Sequence, residues 1–328
     1  MVSSGPIHVD GRNDRRSRVL LPRGTRIRYG NGRHRFGVLH EATDPDAPVV
    51  VLVHGGFWRG PYNRWTMLLL VRDLVALGVS CFNVEYRRLG RFGGGGGYPE
   101  TFDDVRDAIT LMARRRRTTS DGTRRPLVVV GHSAGGHLAL VAAADLSDEI
   151  DGVISLAGPT DLRRLVDDGS EPVGDLVQSA PEATRFEMTS PIEMLPLGVR
   201  VLCVHGALDS TVASRQSIRF VSEAQAAGDD ARLEIVPDGT HRSALLPTSD
   251  TWRAARRTLI DWLRIRADAV PDTDLPDTRV PDTGSPEPVA PGATLPDVVV
   301  AGVVEPGVVV PHPFAPFKTG LIPAEGPL

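Results

Sequence analysis

Six short stretches of the chain are almost unbroken runs of apolar, often β-branched residues: Ala47–His54, Val79–Glu85, Pro126–Gly131, Gly152–Ala157, Val199–His205 and Ala231–Val236. A continuous apolar run of this length is the pattern of a strand buried on both faces. The last run alternates more and is expected nearer a sheet edge. Upstream, Thr25 to Glu41 reads as a short edge hairpin with Asn31-Gly32 at its turn. Between the runs lie segments with helical spacing: Arg64–Leu77, Phe102–Arg117, Ala134–Leu146, Ser214–Ala227 and Trp252–Arg266. Thr101 is the expected N-cap of the second, with Asp103 and Asp104 in its first turn. Gly228 is the expected C-cap of the fourth. Strands alternating with helices predict an α/β fold, a mostly parallel sheet with helices on both faces. Residues 160–198 break the alternation. They are expected to form a small lid or pocket wall at the C-terminal ends of the strands.

The ends of the chain differ in kind. Residues 1–20 are polar and rich in Arg and Asp, and read as a loose arm. Residues 267–328 hold thirteen prolines, nine acids and two bases, and Pro-Asp-Thr recurs at 271, 276 and 281. Such a composition cannot bury enough apolar surface to offset its ordering entropy, so a disordered or polyproline-like tail is expected. This leaves a catalytic domain over residues 21–266. The net charge of −4 over 328 residues gives no reason to expect nucleic acid or an anionic membrane as partner. Lys318 is the only lysine, which removes lysine as a catalytic base or Schiff-base residue in the body. Cys81 and Cys203 both fall in apolar runs and read as buried thiols with no disulfide framework. Met1 to Arg18 contains no apolar run of signal-peptide length, and no stretch is apolar and long enough to span a membrane, so a cytoplasmic location is expected. Oligomeric state is left open.

The chemistry concentrates where strands end. Val128-Val-Val-Gly131-His132-Ser133-Ala134-Gly135 reads as strand, sharp turn, helix. In a Gly-x-Ser-x-Gly turn of this kind the serine is held in a strained conformation that presents its Oγ above the sheet at a helix N-terminus. Ser133 is therefore the candidate nucleophile. An acyl-transfer nucleophile also needs N–H donors where the oxyanion forms. Gly55, Gly56 and Phe57, after the strand ending at His54, are candidates, together with Ala134 after the serine.

With His54-Gly55-Gly56-Phe57-Trp58, Gly131-His132-Ser133-Ala134-Gly135-Gly136 and His205-Gly206-Ala207-Leu208-Asp209 in this order, the chain resembles the α/β-hydrolase superfamily. It is most similar to the branch of hormone-sensitive-lipase-like esterases, feruloyl and acetyl esterase-like proteins, and kynurenine formamidase. The likeness covers about residues 25–266. Lipases of that branch carry three glycines after the histidine. Here Gly55 and Gly56 are kept while Phe57 and Trp58 replace the third glycine and its neighbour, nearer the formamidase and feruloyl-esterase-like pattern. The resemblance implies the chain order Ser, Asp, His for the triad. Asp209 then falls at the acid and His241 at the base, with Asp161 as a second candidate acid. It also implies a small ester or formyl-amide substrate. By motif position Phe57, Trp58 and Tyr86 flank the pocket mouth. The loop Gly93–Gly97 suits a lid hinge. No cluster has metal-ligand spacing, and no cofactor is called for.

Overall fold

Val49–Val53 is buried at every position, and it lies at the middle of the sheet because no other place shields both faces of such a strand. The computed structural model describes residues 23–115, 118–120 and 122–265. Among them, eight strands form one sheet: β1 (Thr25–Arg28), β2 (Phe36–His40), β3 (Val49–Val53), β4 (Ser80–Glu85), β5 (Leu127–His132), β6 (Gly152–Leu156), β7 (Val201–Gly206) and β8 (Ala231–Val236), in spatial order 1-2-4-3-5-6-7-8. β1 and β2 form the antiparallel edge hairpin, with Gly32 at φ 109° in its connection. From β4 to β8 every pairing is parallel. β8 closes the far edge, with Ala231 and Val236 buried and Arg232, Glu234 and Ile235 exposed.

Seven α-helices cover this sheet among the described residues: α1 (Leu68–Ala76), α2 (Glu100–Arg115), α3 (Ala134–Asp145), α4 (Leu162–Asp167), α5 (Glu171–Val177), α6 (Arg215–Ala226) and α7 (Asp250–Trp262). Phe102, Ile109, Leu138 and Phe220 of α2, α3 and α6 pack in one apolar core. Leu70, Leu74, Trp252 and Leu259 of α1 and α7 pack in another, on the opposite face. The indole of Trp252 ties the second pair together by donating to Asp73 at 2.7 Å. α3 is buried nearly all round, which is why its sequence is alanine and leucine with no polar stripe. No helix among the described residues is long and apolar enough to cross a membrane.

Several boundaries differ from the sequence-based expectation: Arg64–Met67 is a 3₁₀ turn, so α1 starts at Leu68, and α7 ends at Trp262. α2 begins at Glu100, two residues earlier than Thr101 as N-cap requires. The Thr101 hydroxyl instead donates to the Arg87 carbonyl at 2.7 Å and accepts the Gly97 N–H at 2.9 Å, so a tertiary contact claims the side chain that capping would have used. α7 starts at Asp250, with Ser249 accepting the Trp252 N–H as its cap. Residues 160–198 hold α4, α5 and two single turns. The chain divides into two units, Met1–Asp274 and Leu275–Leu328. The expected arm over 1–20 and the proline-rich segment lie outside the described residues.

The central strand should dominate stability. Leu52→Ala, at a fully buried position, is expected to lower the unfolding free energy by about 3 kcal/mol, read as a lower urea midpoint. Leu69→Ala, at a half-exposed position of α1, should change it by less than about 0.5 kcal/mol. Equal effects would contradict the sheet placement.

Candidate active site

The C-terminal ends of β3, β5 and β7 carry the three motifs to one edge of the sheet. In register, Val53 of β3 sits beside Gly131 of β5. One residue past β5, Ser133 adopts φ 53°, ψ −121° before α3 begins. A non-glycine residue in such a conformation costs about 1–3 kcal/mol. The turn is held by the Ser133 N–H, which donates to Leu156 of β6 at 2.8 Å, and by the Ser133 carbonyl, which accepts from His137 at 3.1 Å. The flanking glycines have a steric reason. A Cβ on Gly131 would collide with the Gly135 backbone, and a Cβ on Gly135 with the Val53 and His54 carbonyls. A Cβ on Gly55 would lie 2.7 Å from the His132 carbonyl and 3.0 Å from Ser133 Cβ. The turn and the end of β3 therefore touch backbone to backbone.

After Gly55 the chain makes a second strained turn. Gly56 has φ 117°, and Phe57 and Trp58 have φ 55° and 54°. The Arg59 N–H closes it onto the Gly56 carbonyl at 2.9 Å. Positive φ at both central residues is the signature of a type I′ turn. Among the described residues, the N–H groups of Gly56, Phe57 and Ala134 have no hydrogen-bond acceptor. They are free to serve an external oxygen.

Asp209 and His241 meet directly. His241 Nδ1 is 2.7 Å from Asp209 Oδ2. The other carboxylate oxygen, Oδ1, accepts the N–H groups of Thr211 at 2.8 Å and Val212 at 2.9 Å. Burial alone would raise the Asp209 pKa, but hydrogen bonds from His205, His241 and the Val212 N–H hold it far below the usual carboxylate range. The two loops come together because Gly206 and Gly239 pack back to back, where a Cβ on either would collide with the other. The Leu208 N–H donates to the Gly239 carbonyl at 2.9 Å across the same contact. His241 is also tied to the serine turn: His132 Nε2 lies 2.8 Å from the His241 carbonyl, and the rings are 4.9 Å apart. Among the described residues no hydrogen bond joins Ser133 Oγ to the His241 ring. Such a bond is often long in a site without ligand.

Ser133 and Asp209 share a cavity of about 240 Å³ with Phe57, Trp58, Ala134 and residues of α5 and α6. Pro172 and Val173 of α5, with Leu165 of α4, form one wall. The pocket expectation thus divides. Trp58 lines this cavity although it is nearly buried, and Phe57 is half-exposed at it. Tyr86 does not line it. It is fully buried, its ring stacks on His54 at 4.3 Å, and its hydroxyl donates to the His54 carbonyl at 2.8 Å. Asp161 makes no contact with His241. It caps α4 through the Arg164 N–H at 3.1 Å and pairs with Arg219 at 2.5 Å. Burial pushes the imidazoles of His132 and His137 down to about 3 and about 4, so both are neutral structural groups at ordinary pH.

Sequence reasoning overlooked the segment that steadies the Gly56–Arg59 turn. Besides Tyr86 on His54, the Leu89 N–H donates to Trp58 at 2.7 Å and Arg88 donates to the Tyr62 carbonyl at 2.5 Å. Arg88 is itself buried against Glu85. The glycine-rich loop that follows is pinned as well, with the Gly96 N–H on the Arg88 carbonyl at 2.7 Å and the Arg88 N–H on Gly93 at 2.8 Å, which is at odds with a hinge. The one available signal was the pair Glu85 and Arg88 at the end of an otherwise apolar strand.

A family model described as BD-FAE matches residues 38–223. Esterase LipC of Mycobacterium tuberculosis is 27% identical over 203 residues, 55% of this chain and 49% of its own length. Kynurenine formamidase of Danio rerio is 23% identical over 214 residues, 63% of this chain and 70% of its own. Dipeptidyl aminopeptidase BIII of Pseudoxanthomonas mexicana is 24% identical over 222 residues, 60% of this chain but 30% of its own length. The chain thus spans about half the esterase and under a third of the aminopeptidase. Among solved structures, a carbohydrate esterase from gut microbiota superposes with a TM-score of 0.61 at 17% identity, covering 73% of this chain and 95% of that one. Brefeldin A esterase, a bacterial homologue of human hormone-sensitive lipase, gives 0.58 at 19%, covering 80% of each. These superpositions establish the α/β-hydrolase fold.

Glycine substitutions test the backbone contact. Gly135→Ala is expected to destabilise by about 1–3 kcal/mol or more, because the obstruction is backbone. Gly174→Ala, inside α5 with open space around the added Cβ, should stabilise by about 0.5–1 kcal/mol. Thermal unfolding of the two variants beside wild type reads both signs.

Proposed function

This chain belongs to the BD-FAE family, and on that footing we propose that it is a serine hydrolase cleaving small carboxylic esters through an acyl-enzyme. The observation that carries the reading is the cavity shared by the strained Ser133 and by Asp209, which holds His241 at 2.7 Å. Ser133 Oγ attacks the ester carbonyl carbon while His241 Nε2 takes its proton. The carbonyl π electrons move onto oxygen, and that oxyanion accepts the N–H groups of Ala134 and of Gly56 or Phe57. Collapse of the adduct breaks the C–O bond to the alcohol, which leaves with the proton from His241. Water, deprotonated by His241, then attacks the acyl carbon. The second collapse releases the acid and returns the proton to Ser133. Asp209 fixes the His241 tautomer and supports the imidazolium throughout. The walls formed by Phe57, Trp58, Pro172 and Val173 suit a compact apolar acyl or aryl group.

A second reading is hydrolysis of an N-formyl aryl amide. It is favoured by the match to kynurenine formamidase, the curated relative whose length this chain spans most fully of those described above. The same residues would act, with an amine as leaving group.

A fluorophosphonate probe should label the wild type and leave Ser133→Ala unlabelled; labelling that survives the substitution would overturn the nucleophile. Asp209→Asn is expected to lower kcat by about 10⁴-fold, as loss of the tautomer-setting acid does in other triads. Turnover of p-nitrophenyl acetate beside N-formylkynurenine separates the two readings, since ester turnover with none of the formyl amide removes the second.

A further inference from the structure

Asp209 has a second histidine. His205, on β7, is fully buried, and its Nε2 lies 3.3 Å from Asp209 Oδ2, the same oxygen that meets His241 Nδ1. His205 Nε2 is also 2.8 Å from the Val212 carbonyl, and its Nδ1 is 2.7 Å from Ser217 Oγ on α6. A carbonyl only accepts, so Nε2 carries the proton and is shared between Val212 and the carboxylate. In the neutral ring Nδ1 is then an acceptor, and Ser217 supplies its hydroxyl hydrogen. The carboxylate is surrounded by four donors: two backbone N–H groups on Oδ1 and two imidazole N–H groups on Oδ2. That number saturates its lone pairs, and the four donors together fix the plane of the carboxylate.

We propose that His205 is a positioning residue of the hydrolytic reaction, holding the Asp209 carboxylate in the orientation that serves His241, with Ser217 fixing the His205 tautomer. The inference rests on the serine-hydrolase reading above and adds a fourth and fifth member, Ser217–His205–Asp209–His241, to its proton-handling chain. His205 does not itself line the cavity and has no hydrogen bond to Ser133; it reaches the site from behind, through Asp209 and Val212. The charged and titratable groups facing Asp209 and His241 are His205 from β7, His132 from the end of β5, and Arg242 beside His241. His132 stays neutral because burial holds its pKa at about 3. With one donor fewer, the carboxylate charge is less neutralised and supports the facing imidazolium more strongly. It also loses its fixed orientation.

Kinetics of p-nitrophenyl acetate hydrolysis across pH test this with His205→Leu, His205→Gln and Ser217→Ala. His205→Leu should lower kcat by about tenfold with KM changed by less than about twofold, and should move the acid limb of the kcat/KM profile to higher pH. Gln carries an amide N–H that reaches the same carboxylate, and should restore most of kcat and the profile. Ser217→Ala should move both in the direction of His205→Leu by a smaller amount. A merely structural histidine would give a lower kcat with an unmoved profile and no recovery in Gln. That result overturns the proposal, as does a His205→Leu enzyme indistinguishable from wild type. If His205→Leu does not fold, Ser217→Ala decides: an unmoved profile overturns the proposal. A wild type that neither turns over ester nor takes the fluorophosphonate probe fails the hydrolase reading itself, and the inference with it.

Discussion

Everything at the strand ends depends on one close approach of backbone to backbone. The turn around Ser133 rests on the end of β3 with no side chain between them, because Gly55, Gly131 and Gly135 lack a Cβ where one would collide with main-chain atoms. That contact sets the height of Ser133 relative to the Gly56–Arg59 turn, and so decides whether free N–H groups from two separate loops can converge on one oxygen. The strain at Ser133, Phe57 and Trp58 is tolerated because the surroundings over-determine it: parallel pairing of β3 with β5 on one side, and hydrogen bonds from β6 and from the Tyr86–Leu89 segment on the other. A second glycine pair, Gly206 and Gly239, does the same for the loops that carry Asp209 and His241.

Charge is handled by a similar economy. Two carboxylates are buried near the site, Glu85 and Asp209, and neither is left alone. Glu85 is matched by Arg88, whose guanidinium also holds the Tyr62 carbonyl. Asp209 has no arginine; its negative charge is met by N–H dipoles and by imidazoles. An arginine there would neutralise the carboxylate outright. Uncharged donors leave a full negative charge facing His241, which is what an imidazolium formed during turnover requires. The same reasoning separates Asp209 from Asp161, which does have its arginine, Arg219, and sits at a helix start.

Much of this was legible before any coordinates. The buried runs marked each parallel strand because a strand covered on both faces must be apolar at every position, and Gly-x-Ser-x-Gly between such a run and an alanine-rich helix located the serine turn. Asp209 and His241 were implied by the resemblance and its chain order, with Asp161 as a second candidate acid, and the structure places Asp209 and His241 in contact. The illegible parts are those in which a polar side chain has two possible partners. Thr101 looked like a cap, but a carbonyl and an N–H from the preceding loop claim it. Tyr86 looked like a mouth aromatic, yet its hydroxyl faces inward to His54. His205 entered only as the first residue of His205-Gly206-Ala207-Leu208-Asp209, and the sequence contains no sign that its ring reaches the carboxylate four residues on. Periodicity reports whether a position is buried. It does not report which neighbour a buried polar group faces, since that depends on loops whose course is set by tertiary contact.

One bond has a mechanical meaning beyond its energy. His132, next to the serine, reaches the carbonyl of His241, while β6 and β7 separate β5 from β8 in the sheet. Two loops separated by two strands are thereby laced together over the top of the intervening strands. The His241 loop is tied to the Asp209 loop as well, through Gly206 packed on Gly239 and the Leu208 N–H on the Gly239 carbonyl. Splaying β6 from β7 would therefore have to break the strand ladder and the His132–His241 tie together, so the loops over β5, β7 and β8 open as one cooperative unit.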